Sequence, residues 1–223
     1  MSPTINATDT VRLGTAPHTQ NVVTAHLEDH LLVAGPTGAP AHQILTNYAR
    51  QAHHAGAQVE VLDYTGQLAD RVTDLPTRVG ARHVFIGIDD FTDRALSRLE
   101  AISTASVDAA YSGPPRLLVL NGLPQMMRRG PHDTDVQDAV DALQALLHIS
   151  RHTGSTLAAD FDLPTAQLVP QFGEDMTVLA QPGTSDSLLQ TLGIRPGILS
   201  DHPGAAALRP PGAPGRAVIL DCP

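Results

Sequence analysis

Three short segments carry the residue types that handle charged ligands. The first, Gly35-Pro36-Thr37-Gly38-Ala39-Pro40-Ala41-His42, follows the apolar run Leu31-Leu32-Val33-Ala34. It has the length of the phosphate-binding pattern G-x-x-x-x-G-K-[ST], whose backbone N–H groups cradle phosphates while lysine and hydroxyl serve phosphate and magnesium. Gly35 stands at the first glycine, Pro40 at the second, Ala41 at the lysine and His42 at the hydroxyl. The second, Asn121-Gly122, closes the apolar run Leu117–Leu120, and the third holds Asp160 and Asp162 after Thr156-Leu157-Ala158-Ala159. The chain's 14 Lys+Arg residues are all arginine, so none of its 223 residues is lysine. A lysine Schiff base, a lysine general base and a phosphate-loop lysine are excluded. Codon preference in an Ala-, Arg- and Pro-rich chain is the simplest explanation of that absence until a motif says otherwise.

Other chemistry-bearing groups have simpler explanations. The chain has 11 histidines. His53 and His54 are adjacent, so on a helix they point about 100° apart. His148 and His152 have i, i+4 ligand spacing but lack the glutamate of an H-E-x-x-H site. Asp89-Asp90 suits a helix start. No G-x-S-x-G elbow supports a Ser/His/Asp hydrolase. Arg128-Arg129 reads as a solvated loop and Arg151 as an ion-pair residue. No metal site and no catalytic residue is assigned.

The elements that must position the three segments follow from hydrophobic periodicity. Residues 31–34 predict a buried strand and 41–54 a helix with Ile44, Leu45, Tyr48, Ala49 and Ala52 on one side, ending near Gly56. Val59–Asp63 predicts a strand, so residues 31–63 read as a βαβ unit requiring a parallel sheet. Further strands are expected at 83–88, 116–120, 156–159 and 176–179, with helices after Asp89-Asp90, at 134–150 and at 185–192. Residues 1–20 read as a polar lead-in, and 203–215 as a Pro/Gly-rich stretch before Ala217–Leu220. With 42% hydrophobic residues but only 3% aromatic, the core must be aliphatic. The net charge of −9 argues against a free-standing nucleic-acid binder. One cysteine, Cys222, permits no internal disulfide. With neither a signal segment nor an apolar stretch of about 20 residues, a cytoplasmic protein is expected.

His30–Gly38 resembles the strand and loop opening of the FtsK/SpoIIIE family of DNA-translocating ATPases, typically H-L-L-I-A-G-x-T-G-S-G-K-S. The resemblance continues in order. Val59–Asp63 with Gly66 is similar to the family's second strand and D-x-K-G turn. Pro115–Gly122 resembles the Walker B strand, with Asn121-Gly122 where Asp-Glu should stand. Ser150–Gly154 resembles the R-x-x-G-I-H turn. Asp160–Pro164 lies where A-T-Q-R-P would be, Asp162 replacing the glutamine. Ser185–Leu189 resembles D-S-R-x-I-L-G, and His202–Ala206 the late P-G-x-A turn.

The resemblance implies a RecA-like P-loop fold, α/β with a mostly parallel central sheet and helices on both faces. It divides the chain into an N-terminal arm, 1–25, and a RecA-like domain, 26–223. It also implies hexameric rings on duplex DNA, in segregation, conjugation or secretion. The departures point away from catalysis. Phosphoryl transfer needs charge neutralisation, a placed metal and a placed water. Ala41 supplies no charge, Pro40 no N–H, Asn121 no carboxylate and Gly122 no side chain; Asp162 would repel a γ-phosphate. A pseudo-ATPase serving a DNA-translocation or DNA-transfer system is therefore expected. Its partner would be an active FtsK/SpoIIIE-type ATPase or another copy of itself, with DNA only within an assembly. No cofactor is expected, although Gly35, Thr37 and Gly38 retain backbone donors that would suit residual ATP binding. Two readings stay open beside it: a translocase with a non-standard ATP site, and a ligand-sensing module on the same fold.

Overall fold

The computed structural model describes residues 10–17, 19–36, 39–63, 68, 82–84, 113–128, 132–168 and 175–221, with the side chains of 39–40, 82–84 and 146–153 left aside. The elements in chain order are β1 (Thr10–Thr15), β2 (Val22–His26), β3 (Leu31–Ala34), α1 (Ala39–His54), β4 (Gln58–Asp63), β5 (Arg82–Val84), β6 (Arg116–Asn121), α2 (Leu123–Met127), α3 (Thr134–Thr153), β7 (Ser155–Phe161), α4 (Leu163–Leu168), β8 (Thr177–Ala180), α5 (Asp186–Thr191), β9 (Ala206–Arg209) and β10 (Val218–Leu220).

Eight strands form one sheet in the order β10-β9-β8-β3-β7-β6-β4-β5. From β8 to β5 all pairings are parallel, whereas β9 and β10 join antiparallel. Parallel strands covered on both sides should be apolar on both faces, and β3, β7 and β8 are buried along their whole length. Alternation divides their side chains between two cores. Leu32, Ala34, Leu118, Leu120, Leu157, Ala159 and Val178 share one with α2, α3, α4 and α5. Leu31, Val33, Leu117, Val119, Ala158 and Leu179 share the other with α1 and the β1–β2 hairpin. Helices thus cover both faces of a mostly parallel sheet.

The expected βαβ unit is present as β3-α1-β4, but its strands are not neighbours. Two later strands, β7 and β6, lie between them. Residues 10–26 differ from the expected polar lead-in: they form the antiparallel β1–β2 hairpin. Val11 and Leu13 are buried against α1, and Gln51 of α1 both donates to and accepts from the Arg12 backbone, at 3.1 and 2.9 Å. A side-chain amide here takes the place of a neighbouring strand. The hairpin also reaches the last strand through reciprocal bonds between Thr15 and Asp221. The helix expected after Asp89-Asp90 and the rest of the strand at 83–88 lie outside the described residues, as does Cys222.

The clearest helix, α3, shows the local rules at both ends. Asp133 accepts from the Asp135 N–H at 3.0 Å as N-cap, and Gly154 takes the left-handed conformation as C-cap, φ +61°. Among the described residues no helix is long and apolar enough to cross a membrane.

Candidate functional site

The three segments singled out in the sequence lie on neighbouring strands at one edge of the sheet, its carboxyl end. In open α/β sheets this is the end that carries ligands. β3 leads into Gly35 and β7 beside it into Asp162. Next comes β6, ending at Asn121, and then β4, ending at Asp63.

Gly35 extends the sheet by one residue, donating its N–H to Phe161 at 3.2 Å. Its φ of +152° favours glycine. A β-carbon there would lie 3.1 Å from Gln181 Cβ, Gln181 Nε2 and Thr184 Oγ1. Pro36 is exposed. Thr37 and Gly38 lie outside the described residues. Ala39 and Pro40 open α1; proline suits a first helical turn, where its missing N–H would have no intrahelical partner. Ala41, at the lysine position of the loop pattern, is 3% exposed and belongs to the core between α1 and the sheet. His42 is equally buried, and its carbonyl accepts from Thr46 Oγ1 at 2.6 Å.

The end of β6 is built differently. Asn121 and Asp63 are directly opposite in the β4–β6 register, and both are fully buried. Asn121 Nδ2 donates to Asp63 Oδ1 at 2.5 Å, and the Leu68 N–H donates to Asp63 Oδ2 at 2.7 Å. Gly122 follows with φ +134°. The N–H groups of Gly122 and Leu123 donate to Asp160 Oδ1 at 2.8 and 3.1 Å. Burial pushes the Asp160 carboxyl up from 3.8 to about 7, against those two bonds and helped by the negative charge of Asp162. Asp162 caps α4: its Oδ1 accepts from the Thr165 N–H at 3.0 Å and hydroxyl at 2.7 Å. Its other oxygen meets Arg128 at 3.5 Å.

Asn121, Gly122 and Asp162 therefore gather at one edge with the start of the loop. Three further residues complete this edge. Asp63 was legible only as the last residue of a strand, with no sign that it would face Asn121. Asp160 was paired in sequence with Asp162, yet its bonds run to the turn after β6. Gln181, on the turn after β8, carried no signal at all. Among the described residues no group of three or more His, Cys, Asp or Glu is placed to hold a metal ion. The side chains of His148, Arg151 and His152 are not among those described, and Asp89, Asp90 and Arg129 lie outside the described residues.

No sequence-family profile and no curated protein matches this chain. Solved structures do. The cytoplasmic domain of the Thermomonospora curvata Type VII secretion ATPase EccC matches over 96% of this chain at a TM-score of 0.66 and 14% identity. The pCW3 conjugation coupling protein TcpA, solved with ATPγS, matches over 96% at 0.64 and 16% identity. VirB4 of Thermoanaerobacter pseudethanolicus matches over 98% at 0.58 and 8% identity. The chain spans 26% of the EccC structure and 65% of TcpA, but 98% of VirB4. This chain has the RecA-like P-loop fold of the FtsK/SpoIIIE-type secretion and conjugation ATPases.

Proposed function

We propose that this chain is a non-hydrolysing FtsK/SpoIIIE-like domain, residues 26–223, that acts as partner or regulator of a DNA-transfer or secretion machine. The hairpin that precedes it packs on α1 and shares the core on that face of the sheet. The observation that carries this reading is the end of β6. A metal-dependent phosphoryl transfer needs a carboxylate there to order the ion and a group to orient the attacking water. Asn121 is neutral and bonded to Asp63, and Gly122 has no side chain and gives its N–H to Asp160.

The loop supports the same reading. At position 41 the side chain is a single buried methyl group rather than a cation reaching toward phosphates. Asp162, at the sensor position, is occupied with capping α4 and with Arg128. The structural neighbours are secretion and conjugation ATPases, which supports a place beside such an enzyme or in a ring of like subunits. With a net charge of −9 the chain would meet DNA only within that assembly. No catalytic residue, metal or cofactor is assigned.

The test is ATP turnover at saturating Mg-ATP, with and without duplex DNA, together with crosslinking to an active FtsK/SpoIIIE-type ATPase. No turnover above a buffer control and a specific crosslink are expected. Metal-dependent turnover abolished by substitutions in 35–42 would overturn the proposal and establish a translocase with a non-standard ATP site.

A further inference from the structure

Gln181 follows β8 and is 1% exposed, and among the described residues neither its Oε1 nor its Nε2 has a hydrogen-bond partner. Buried amides are ordinarily paired, and an unpaired one raises the free energy of the state that buries it. Its place in the fold is specific. The Gln181 N–H bonds the Ala34 carbonyl at 2.9 Å, and its Nε2 lies 3.1 Å from where a β-carbon on Gly35 would stand. The following residues form a tight turn, closed by the Thr184 N–H on the Gln181 carbonyl at 3.1 Å, with Gly183 at φ +84°. Pro at the second place and Gly at the third suit a type II turn. The Thr184 hydroxyl ties that turn to β3, within reach of the Ala34 and Gln181 carbonyls at 3.1 and 2.7 Å. The Pro36 ring sits over Gly183, where a β-carbon would come within 3.3 Å of Pro36 Cγ. The first two residues of the loop thus rest on a turn whose leading side chain is buried without partners.

We propose that Gln181 is a latch for the Gly35-Pro36 start of the loop. The arrangement described, with Pro36 on Gly183, is the closed one. Its unpaired carboxamide keeps it close in free energy to an open arrangement, in which Pro36 leaves Gly183 and the carboxamide reaches water or a ligand. Gly35 is the hinge, since its φ of +152° leaves it conformations that other residues rarely adopt. A ligand that pairs with the carboxamide in the open arrangement shifts the population toward it by that differential interaction. The inference goes beyond the proposed function and does not depend on it. Its readouts are amide exchange and melting temperature, which neither ATP turnover nor crosslinking enters.

The experiment uses the full chain without nucleotide. Gln181→Met keeps the volume and removes both polar atoms. It is expected to raise the melting temperature by roughly 2–4 °C. Amide exchange at Gly35 and in the first turns of α1 should slow about tenfold, equivalent to about 1.4 kcal/mol. Gln181→Glu, with a charge in the same place at pH 8, should speed exchange at those amides. A Gln181→Met protein with unchanged or faster exchange there, or a lower melting temperature, would overturn the latch and show that the carboxamide is satisfied when closed, by a held water. If Gln181→Glu does not fold, Gln181→Met decides alone.

Discussion

The two ends of the central sheet bury polar side chains by opposite electrostatic means. At the amino end His30 precedes β3, and its Nδ1 accepts the Leu157 N–H at 2.9 Å. The ring is an acceptor and therefore neutral, and burial lowers it from 6.5 to about 4. At the carboxyl end the acceptors are acids, Asp63 and Asp160, each bonded to at least two N–H donors, one of Asp63's being the Asn121 side-chain amide. The amino end joins two strands with a neutral ring. The carboxyl end holds turns with acids and is the end where the three chemistry-bearing segments meet. The difference teaches that acids at a ligand-bearing edge need not be there for the ligand. Here the bonds described run to the protein's own amides.

The largest expected effect comes from removing one of those acids. Asp63→Ala strands the Asn121 amide and the Leu68 N–H in a fully buried place. Each unmade buried bond costs roughly 1–3 kcal/mol, so a loss of about 2–5 kcal/mol is expected in urea denaturation. A loss under about 1 kcal/mol would show that Asp63 is not the structural anchor of this edge. Gly35→Ala comes next. It forces an alanine to φ +152° and brings its β-carbon to 3.1 Å from Gln181 and Thr184, and a cost of about 1–3 kcal/mol is expected by the same measurement.

Which parts of this contrast were legible in the sequence follows from range. β3, α1, β4, β6, α3, β7 and β8 could be read because apolar periodicity is local. The helices α2 and α4, of five and six residues, were not expected, whereas α5, equally short, was. β1 does alternate, with Val11 and Leu13 buried around exposed Arg12, but one buried pair among polar residues reads as an arm. The Asp63–Asn121 bond joins residues 58 apart, and the His30–Leu157 bond residues 127 apart. Both depend on strand order, and β3 and β4 turned out to be separated by two strands that come later in the chain. The loop, Asn121-Gly122 and Asp162 were found because a motif order points to them. Gln181 matches no motif, and only its surroundings single it out.

The two ends also predict opposite pH dependences. Asp160 binds a proton more readily folded than unfolded, so its contribution to stability is greatest below about pH 3.8 and is lost as pH rises through about 7. His30 binds a proton less readily when folded, so its contribution is complete above pH 6.5 and is lost as pH falls toward 4. Between about pH 4 and 6.5 the two oppose one another; above 6.5 Asp160 acts alone. Asp160→Asn keeps an acceptor for Gly122 and Leu123. It should raise stability relative to the parent most at pH 8, with the gain shrinking as pH falls. His30→Asn keeps an acceptor for Leu157, and relative to the parent it should gain as pH falls from 6.5 to 4. Chemical denaturation across pH 4–8 separates them, and parallel curves for both variants would erase the contrast.

The smallest effect lies at the rim of the carboxyl end, where the same acid makes an exposed and a sheltered interaction. Asp162 meets Arg128 at 3.5 Å, but the Arg128 side chain is 56% exposed, and such pairs contribute little in water. Its bonds to the Thr165 N–H and hydroxyl close the first turn of α4, where an N-cap is worth about 1 kcal/mol. Arg128→Ala should therefore change stability by less than about 0.5 kcal/mol, with that change shrinking further at 1 M salt. Asp162→Ala should cost about 1 kcal/mol at either salt concentration. Equal costs for the two variants, both abolished by salt, would mean that the ion pair rather than the cap holds this rim. The carboxyl end would then owe its order to charges facing solvent instead of to acids bonded to backbone amides.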